Sequence, residues 1–281
     1  SRPASIQSPR PVTMNAAFCA SLWLMPERYE GCATLMASML ALVLIGAYDD
    51  LRRIRPSVRL ALQATVVLAA TLAGGPRVTD LGDLLGWGPI TLAGLALPFT
   101  LFGVVGVINA FNMIDGLDGL AGGLALIAAG WLAVLCLTGP VPNPTDAYLL
   151  LTLVMVLAGF LAWNLRHPWR RKAKVFMGDA GSTLLGFALG WFLIDLSQGE
   201  QAVIAPITAL WIMALPLMDT ITVITRRLRA GQSPFAGDRQ HLHHLLLATG
   251  RTDARVTAIL LGCGLMTGGI GATAWWLGLP E

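Results

Sequence analysis

Charged residues are scarce in this chain. Lys and Arg number 19 and Asp and Glu 16 among 281 residues, so only 12% of the sequence is charged while 55% is hydrophobic. The mean hydropathy is +0.67, and no segment is long and polar enough for a separate soluble domain. Because apolar runs of about 20 residues recur along the chain, the sequence excludes a soluble globular protein and predicts a polytopic membrane protein.

Cysteine is also rare. The four cysteines lie within apolar runs and form no C-x-x-C pair: Cys19, Cys32, Cys136 and Cys263. This pattern is typical of small core residues and argues against disulfides or a cysteine-ligated metal. The net charge of +3 is too small to carry information by itself, and we expect no nucleic-acid partner.

The apolar runs predict an all-α bundle of eight transmembrane helices, with a ninth and shorter segment at residues 12–25. The eight predicted spans are residues 32–48, 58–74, 89–111, 120–137, 148–165, 183–196, 202–218 and 254–277. Pro206 and Pro216 are expected to kink the seventh of these spans. We treat residues 1–281 as a single membrane-embedded domain, with a loop at 220–253 that carries an amphipathic helix.

The basic residues indicate how the bundle is oriented. Alternate threading of the spans places most of the 19 Lys and Arg residues on one face, which is therefore predicted to be cytoplasmic. The acidic motifs and the H-L-H-H run fall on the same face. A channel or proton pump more often places acidic groups at the bilayer midplane. The sequence thus predicts a site that faces the cytosol and accepts a second partner from the lipid bilayer.

The central motif is N-A-F-N-M-I-D-G-L-D-G-L-A-G-G at residues 109–123. Its polar side chains recur every third residue: Asn109, Asn112, Asp115 and Asp118. In a helix they would follow one side, and Gly116 and Gly119 would loosen that helix so that a ligand can approach the backbone. The alternative is a polar turn between two membrane helices, since Asp-Gly is turn chemistry.

Two further acidic motifs lie on the predicted cytoplasmic face. The adjacent carboxylates of Asp49 and Asp50 close a span and suit Mg²⁺ or a cationic neighbour; the alternative is a helix end that only sets topology. In F-M-G-D-A-G-S at 176–182, a helix N-terminus offers N–H groups to phosphate. Asp179 would hold a Mg²⁺ that bridges a diphosphate, and Phe176 would stack on a base. The alternative makes Asp179 an N-cap and Phe176 a core residue.

Basic and histidine residues follow in the 220–253 loop. The arginines at 226, 227 and 229 are either a phosphate clamp or topogenic charge. D-R-Q-H-L-H-H-L-L-L-A-T-G reads as a short helix capped by Asp238 and stopped by Gly250. His241 and His244 share a face, and His243 is the histidine least favoured for function. The spacing matches no standard zinc site, so phosphate binding is favoured over a plain amphipathic interface helix.

Together, N-A-F-N-M-I-D-G-L-D-G-L, V-F-M-G-D-A-G-S-T-L and R-R-L-R-A-G-Q-S-P-F-A-G-D-R-Q-H-L-H-H resemble the polyprenyl-phosphate N-acetylhexosamine-1-phosphate transferases. The resemblance extends from residue 32 to the C-terminus. It implies transfer of a sugar 1-phosphate from a UDP-amino sugar to a lipid-linked phosphate, with release of UMP. It also implies Mg²⁺ as cofactor, with Mn²⁺ as an alternative, and a bacterial inner-membrane location with the active site facing the cytoplasm. A homodimer is a family expectation.

The resemblance also implies roles for particular residues. The catalytic residues would be Asp49, Asp50, Asp179 and His241, and the paired aspartates are associated with activation of the lipid phosphate. The metal ligands would be Asp179 and Asn112. The substrate-binding residues would be Asn109, Asp115, Asp118, Phe176, Gly178, Arg227 and His244. Among these, Phe176 and Gly178 resemble the uracil pocket, and Arg227, like His241, resembles a group that contacts the diphosphate.

The chemistry of the reaction agrees with this assignment, except that it does not require the paired aspartates to act as a base. An anionic phosphate must attack an anionic diphosphate, so charge and alignment are the obstacle that Mg²⁺, arginine and imidazolium address. A phosphate monoester has a second pKa of about 6 and is largely dianionic at pH 7. We therefore expect Asp49 and Asp50 to position metal or phosphate more than to remove a proton.

Two alternatives concern the substrate. The H-L-H-H run favours UDP-N-acetylglucosamine as donor and undecaprenyl phosphate as acceptor over the family relative that uses UDP-N-acetylmuramoyl-pentapeptide, while other UDP-N-acetylhexosamines stay open. A transporter or flippase is the rival class, although the polar motifs cluster on one face. Residues 1–14 contain neither His nor Gly, so residues 1–31 are expected to be an atypical or truncated form of the family's first helix and loop.

Overall fold

The computed structural model describes residues 32–52, 54–84, 86–166, 173–231 and 241–279. The predicted segment at 12–25 and the predicted cap Asp238 lie outside these residues. The described chain consists of ten α-helices: α1 (Cys32–Arg52), α2 (Pro56–Leu72), α3 (Ala96–Ile114), α4 (Leu120–Thr138), α5 (Pro144–Asn164), α6 (Gly178–Ser197), α7 (Pro206–Ile212), α8 (Ala214–Arg229), α9 (Leu242–Ala248) and α10 (Asp253–Trp276). A 3-10 turn at Ala93–Leu95 leads into α3. The prediction of an all-α membrane bundle is confirmed.

The number of straight spans differs from the prediction. Within the described residues, six helices are long and apolar enough to cross a membrane: α1, α3 with its preceding turn, α4, α5, α6 and α10. The predicted second span is the shorter apolar helix α2, which has 17 residues.

The predicted seventh span is two helices, because α7 and α8 meet at 80°. Pro206 does not kink a helix but begins α7, where its missing N–H costs nothing. The break falls at Met213, ahead of Pro216, which lacks the N–H needed to continue the hydrogen bonds of α7.

Helix α6 is the centre of the bundle, and almost all of its side chains are buried. Two glycines allow neighbouring helices to approach it closely. A Cβ at Gly46 of α1 would lie 2.4 Å from Ala180 Cα, and a Cβ at Gly186 of α6 would lie 2.6 Å from Ile108 Cα of α3. Since real Cβ atoms do not approach so closely, these backbone contacts require glycine. The start of α6 is thereby held between the end of α1 and the end of α3.

The chain order places the acidic motifs at the same end of the bundle. The end of α1, the start of α2 and the end of α3 each contact the start of α6 there through hydrogen bonds. The α5 end and the α10 start join them through Arg166. The predicted clustering of the polar motifs on one face is therefore present, and we name this end the acidic end.

Candidate active site

Asp50 lies against the N-terminus of α6. The Asp179 N–H donates to Asp50 Oδ1 over 3.2 Å. Gly178 has a φ of +69°, and a Cβ there would lie 3.0 Å from Asp50 Oδ2. Glycine therefore provides both the left-handed backbone and the space for the carboxylate. The helix N-terminus that we expected to offer N–H groups to phosphate is instead capped by a side chain of the same protein.

Asp49 and Asp179 are joined by an arginine that the motif analysis had not selected. Arg59 Nη1 lies 3.0 Å from Asp49 Oδ2 and 3.3 Å from Asp179 Oδ2. Asp49 is only 6% exposed and also accepts from the Ile54 N–H, whereas Asp179 is 41% exposed. The paired aspartates thus differ: Asp49 holds the α1–α2 connection and Arg59, while Asp50 holds α6. Asp50 and Asp179 are both accessible at this end, whereas Asp49 is buried.

The two asparagines of the central motif brace neighbouring helices. Asn112 Oδ1 accepts from Ser182 Oγ over 2.6 Å, and its Nδ2 donates to Thr183 Oγ1 over 3.2 Å. Asn109 Nδ2 donates to Gln63 Oε1 of α2 over 3.2 Å. Asn112 therefore ties α3 to the first turns of α6, which carry Asp179, and Asn109 ties α3 to α2. In this arrangement Asn112 Oδ1 has one lone pair left for a metal.

The central motif is not a continuous helix. Helix α3 ends at Ile114 and α4 begins at Leu120, so the alternative of a polar turn between membrane helices is right. Gly119 has a φ of +82° and donates its N–H to Asn164 Oδ1 over 2.7 Å. Asp118 pairs with Arg166 over 2.6 Å, and Arg166 also pairs with Asp253. Asp118 thus links the turn, through Arg166, to the end of α5 and the start of α10.

Asp115 lies among the other carboxylates of this end. Burial raises its pKa to about 8, and the negative charges of Asp179, Asp118 and Asp50 raise it further in the same direction. Asp115 therefore lies in a concentration of negative charge formed by the described carboxylates around it. A divalent cation would cancel it.

The raised pKa of Asp115 leads to a prediction about the stability of the protein. The folded-state pKa of Asp115 lies above that of an unfolded aspartate, so stability falls as pH rises from about 4 to about 8. In a metal-free buffer at pH 8, Asp115→Asn should raise the melting temperature by about 3 °C. The difference should shrink at pH 5. Thermal unfolding of the detergent-solubilised protein measures both. Asp118→Asn is the contrasting variant and should lower the melting temperature because it breaks the pair with Arg166; a destabilised Asp115→Asn at pH 8 would contradict the prediction.

The histidine run is anchored to α8 and reaches the central turn. Helix α9 begins at Leu242, with His241 as its N-terminal cap residue. His241 Nδ1 lies 2.9 Å from Asp219 Oδ2. His243, the histidine least favoured from the sequence, is 1% exposed, and a Cβ on Gly116 would lie 2.3 Å from its Nε2. Among the described residues neither ring nitrogen of His243 has a hydrogen-bond partner.

The charge state of His243 follows from this position. Burial lowers its pKa to about 4, and the neighbouring His244 and His241 lower it further. His243 is therefore neutral near pH 7, and it contacts Gly116 through van der Waals packing and not through charge. His244 is half-buried, and its ring centroid lies 4.1 Å from that of His243. The three histidine rings thus form one cluster beside the α3–α4 turn that carries Asp115.

The remaining predicted residues have different surroundings. Phe176 is 63% exposed, so the alternative that made it a core residue is wrong, and its ring face is available to a base. The N-terminal cap residue of α6 is Met177, which excludes that role for Asp179. Arg227 is buried on α8, while Arg229 is exposed at its end. Arg227 therefore faces the protein interior, whereas Arg229 faces outward.

The described residues contain no group of three or more His, Cys, Asp or Glu side chains placed to hold a metal ion. This does not conflict with Mg²⁺, which in phosphate-transfer sites is usually held by one or two carboxylates, substrate phosphates and water. Asp179 fits this requirement because its side chain is 41% exposed and lies near other carboxylates. Asn112 fits only through its second lone pair.

A helical membrane bundle with carboxylates, an arginine and histidines at one end has the groups of an enzyme that handles anionic substrates at a membrane surface. Residues 32–197 match glycosyl transferase family 4, which is more than half of the chain. The chain belongs to this family, and the resemblance seen in its motifs is confirmed.

Curated relatives extend the match beyond those residues. A protein of Escherichia coli O157:H7 named undecaprenyl-phosphate alpha-N-acetylglucosaminyl 1-phosphate transferase is 36% identical over 264 residues, covering 94% of this chain and 71% of the relative. Proteins of the same name from Haemophilus influenzae and Salmonella typhi are 40% and 38% identical, covering 79% and 83% of this chain. The chain spans 62% and 63% of those two relatives. The transporter alternative gains no support from these matches.

Proposed function

We propose that this chain transfers N-acetylglucosamine 1-phosphate from UDP-N-acetylglucosamine to undecaprenyl phosphate. The products are undecaprenyl-diphospho-N-acetylglucosamine and UMP, which would begin the synthesis of a cell-envelope glycan. The observation that carries the proposal is the meeting of Asp50, Asp115, Asp179 and Arg59 at the N-terminus of α6. The names of the relatives supply the acceptor and the transferred N-acetylglucosamine 1-phosphate group, while UDP as its carrier is implied by the resemblance of the motifs.

The proposed reaction is a displacement at phosphorus. An oxygen of the undecaprenyl phosphate attacks the phosphorus that bears the sugar, and a new P–O bond forms there. The bond from that phosphorus to the bridging oxygen breaks, and the bridging oxygen leaves with UMP. The attacking phosphate is already largely dianionic at pH 7, so no proton needs to be removed first.

The side chains at the acidic end would position the metal and the substrates in different ways. Asp179 would hold Mg²⁺, which when bound neutralises diphosphate charge. Arg59 sets the orientation of Asp179 and, being positively charged, favours the approach of phosphate. Phe176 would stack on the uracil ring. Asp49 and Asp50 fix Arg59 and α6, which agrees with a positioning role for this pair.

The orientation in the membrane is part of the same proposal. UDP-sugars are cytosolic, so the acidic end should face the cytoplasm of a bacterial inner membrane, as the distribution of basic residues predicts. The lipid phosphate would enter from the bilayer beside this end. The homodimer implied by the resemblance stays a prediction.

The test is release of UMP by the purified protein in detergent. UDP-N-acetylglucosamine, undecaprenyl phosphate and Mg²⁺ should give turnover, and a chelator should abolish it. UDP-N-acetylgalactosamine in a parallel reaction tests the donor. Absence of both UMP release and UDP-N-acetylglucosamine binding would overturn the proposal, while turnover only with another UDP-N-acetylhexosamine would correct the donor.

A further inference from the structure

Asp219 is a buried carboxylate in the second turn of α8, within the apolar segment P-L-M-D-T-I-T. Its Oδ1 accepts the Leu242 N–H over 2.7 Å, and its Oδ2 lies 2.9 Å from His241 Nδ1. Both side chains are 6% exposed. No motif drew attention to Asp219, yet it makes two polar contacts that attach the start of α9 to α8.

These contacts define which nitrogen of His241 carries a proton. An ionised carboxylate can only accept hydrogen bonds, and the Leu242 N–H can only donate. His241 must therefore donate from Nδ1 to Oδ2. Its Nε2 is then available to a group outside the pair. In many metal- and substrate-binding histidines, likewise, one ring nitrogen binds the ligand while the other donates to a carboxylate.

The contacts between the histidine rings link His241 to the candidate active site. The His241 and His243 ring centroids are 5.8 Å apart with an angle of 8° between the planes. His243 in turn packs on Gly116, next to Asp115. One imidazole, that of His243, therefore connects His241 to the α3–α4 turn that carries Asp115.

We propose that Asp219 is a positioning residue for the transfer reaction: it holds His241 in the Nδ1-protonated form and leaves Nε2 to contact the phosphate groups of the donor. This inference rests on the proposed function for its catalytic part. Its structural part, the protonation site of His241, holds independently of the reaction.

The first measurement determines which ring nitrogen of His241 carries the proton. The chain has four histidines, so ¹⁵N NMR of histidine-labelled protein can assign the His241 signal by comparison with His241→Gln. The wild-type protein should show His241 protonated at Nδ1. In Asp219→Asn the amide oxygen can serve the Leu242 N–H, and the amide NH₂ then faces His241 Nδ1. The proton should therefore move to Nε2. An unchanged His241 signal in Asp219→Asn would overturn the assignment.

The second measurement concerns catalysis. Asp219→Asn should lower kcat for UMP release about 10–100-fold, the usual loss when the carboxylate behind a functional histidine is removed, with less change in KM for UDP-N-acetylglucosamine. In a His241→Gln background the same substitution should have no further effect on kcat, because Asp219 acts through His241. Equal losses in both backgrounds would show a merely structural role and overturn the proposal.

Two controls keep the outcomes distinct. Asp146→Asn alters another buried aspartate, at the start of α5 away from the acidic end, and should leave kcat near the wild-type value. If the wild-type protein releases no UMP, the proposed function fails while the NMR result still decides the Asp219–His241 pairing. A proton on Nε2 of His241 in the wild-type protein would overturn the inference whatever the activity.

Discussion

Replacement of Asp179 by asparagine is expected to lower the rate of UMP release about a thousandfold. Asp179 is an accessible carboxylate of the acidic end and accepts from Arg59 Nη1 over 3.3 Å. A bound metal contributes several kcal/mol of charge stabilisation in the transition state, and about 4 kcal/mol corresponds to a factor of about a thousand. The amide keeps the shape of the carboxylate but loses its charge. Steady-state kinetics at saturating Mg²⁺ measures the loss.

The matched control lies on the same helix. Asp195 is sixteen positions further along α6, at the end of the helix opposite Asp179, so Asp195→Asn makes the same chemical change away from the acidic end. It should retain most of the wild-type rate. If Asp179→Asn kept more than about a tenth of the activity, Asp179 could not be the principal metal ligand, and a different carboxylate such as Asp115 would have to be tested.

The fold was predictable where the length and apolarity of a segment decide the outcome. The predicted spans at 32–48, 120–137 and 254–277 correspond to α1, α4 and α10. The predicted start of α5 at residue 148 was late, although the signal was present: Asn143 caps the helix by accepting the Asp146 N–H. The seventh span was expected to kink at its prolines, and the chain bends by 80° between α7 and α8, ahead of Pro216; the size of this angle depends on packing that composition does not contain.

The candidate site was predictable in its residue types but not in its pairings. The acidic motifs identified which carboxylates gather at one end. They could not show that Asp49 pairs with Arg59 or that Arg166 joins Asp118 to Asp253, because these contacts link separate helices. A buried partner across the bundle leaves no local pattern. Asp219 had a usable signal, since a lone carboxylate in an apolar segment is costly unless it has a partner.

Gly46→Ala is the second substitution from which we expect a large effect. A Cβ at Gly46 would lie 2.4 Å from Ala180 Cα and 2.7 Å from Ala180 N. Because the colliding atoms belong to the backbone of α6, relief requires α1 and α6 to move apart. Overpacking of this kind costs about 1–3 kcal/mol, and a shift of 1 Å at the reacting groups can cost about a hundredfold in rate. We expect a lower melting temperature and at least about a hundredfold less UMP release.

The control is Gly106→Ala in α3, a helical glycine whose Cβ would meet nothing within 4 Å. Alanine is favoured over glycine inside a helix by up to about 1 kcal/mol, so this variant should be neutral or slightly stabilised and fully active. A second comparison separates backbone overlap from side-chain crowding. The Ala180 methyl would lie 3.1 Å from the new Cβ, further away than the Ala180 backbone atoms. Addition of Ala180→Gly should therefore fail to rescue Gly46→Ala. Rescue would mean that the methyl group was the obstacle and that the α1 and α6 backbones are not in direct contact, which would also weaken the case that their crossing holds Asp50 against the Asp179 N–H.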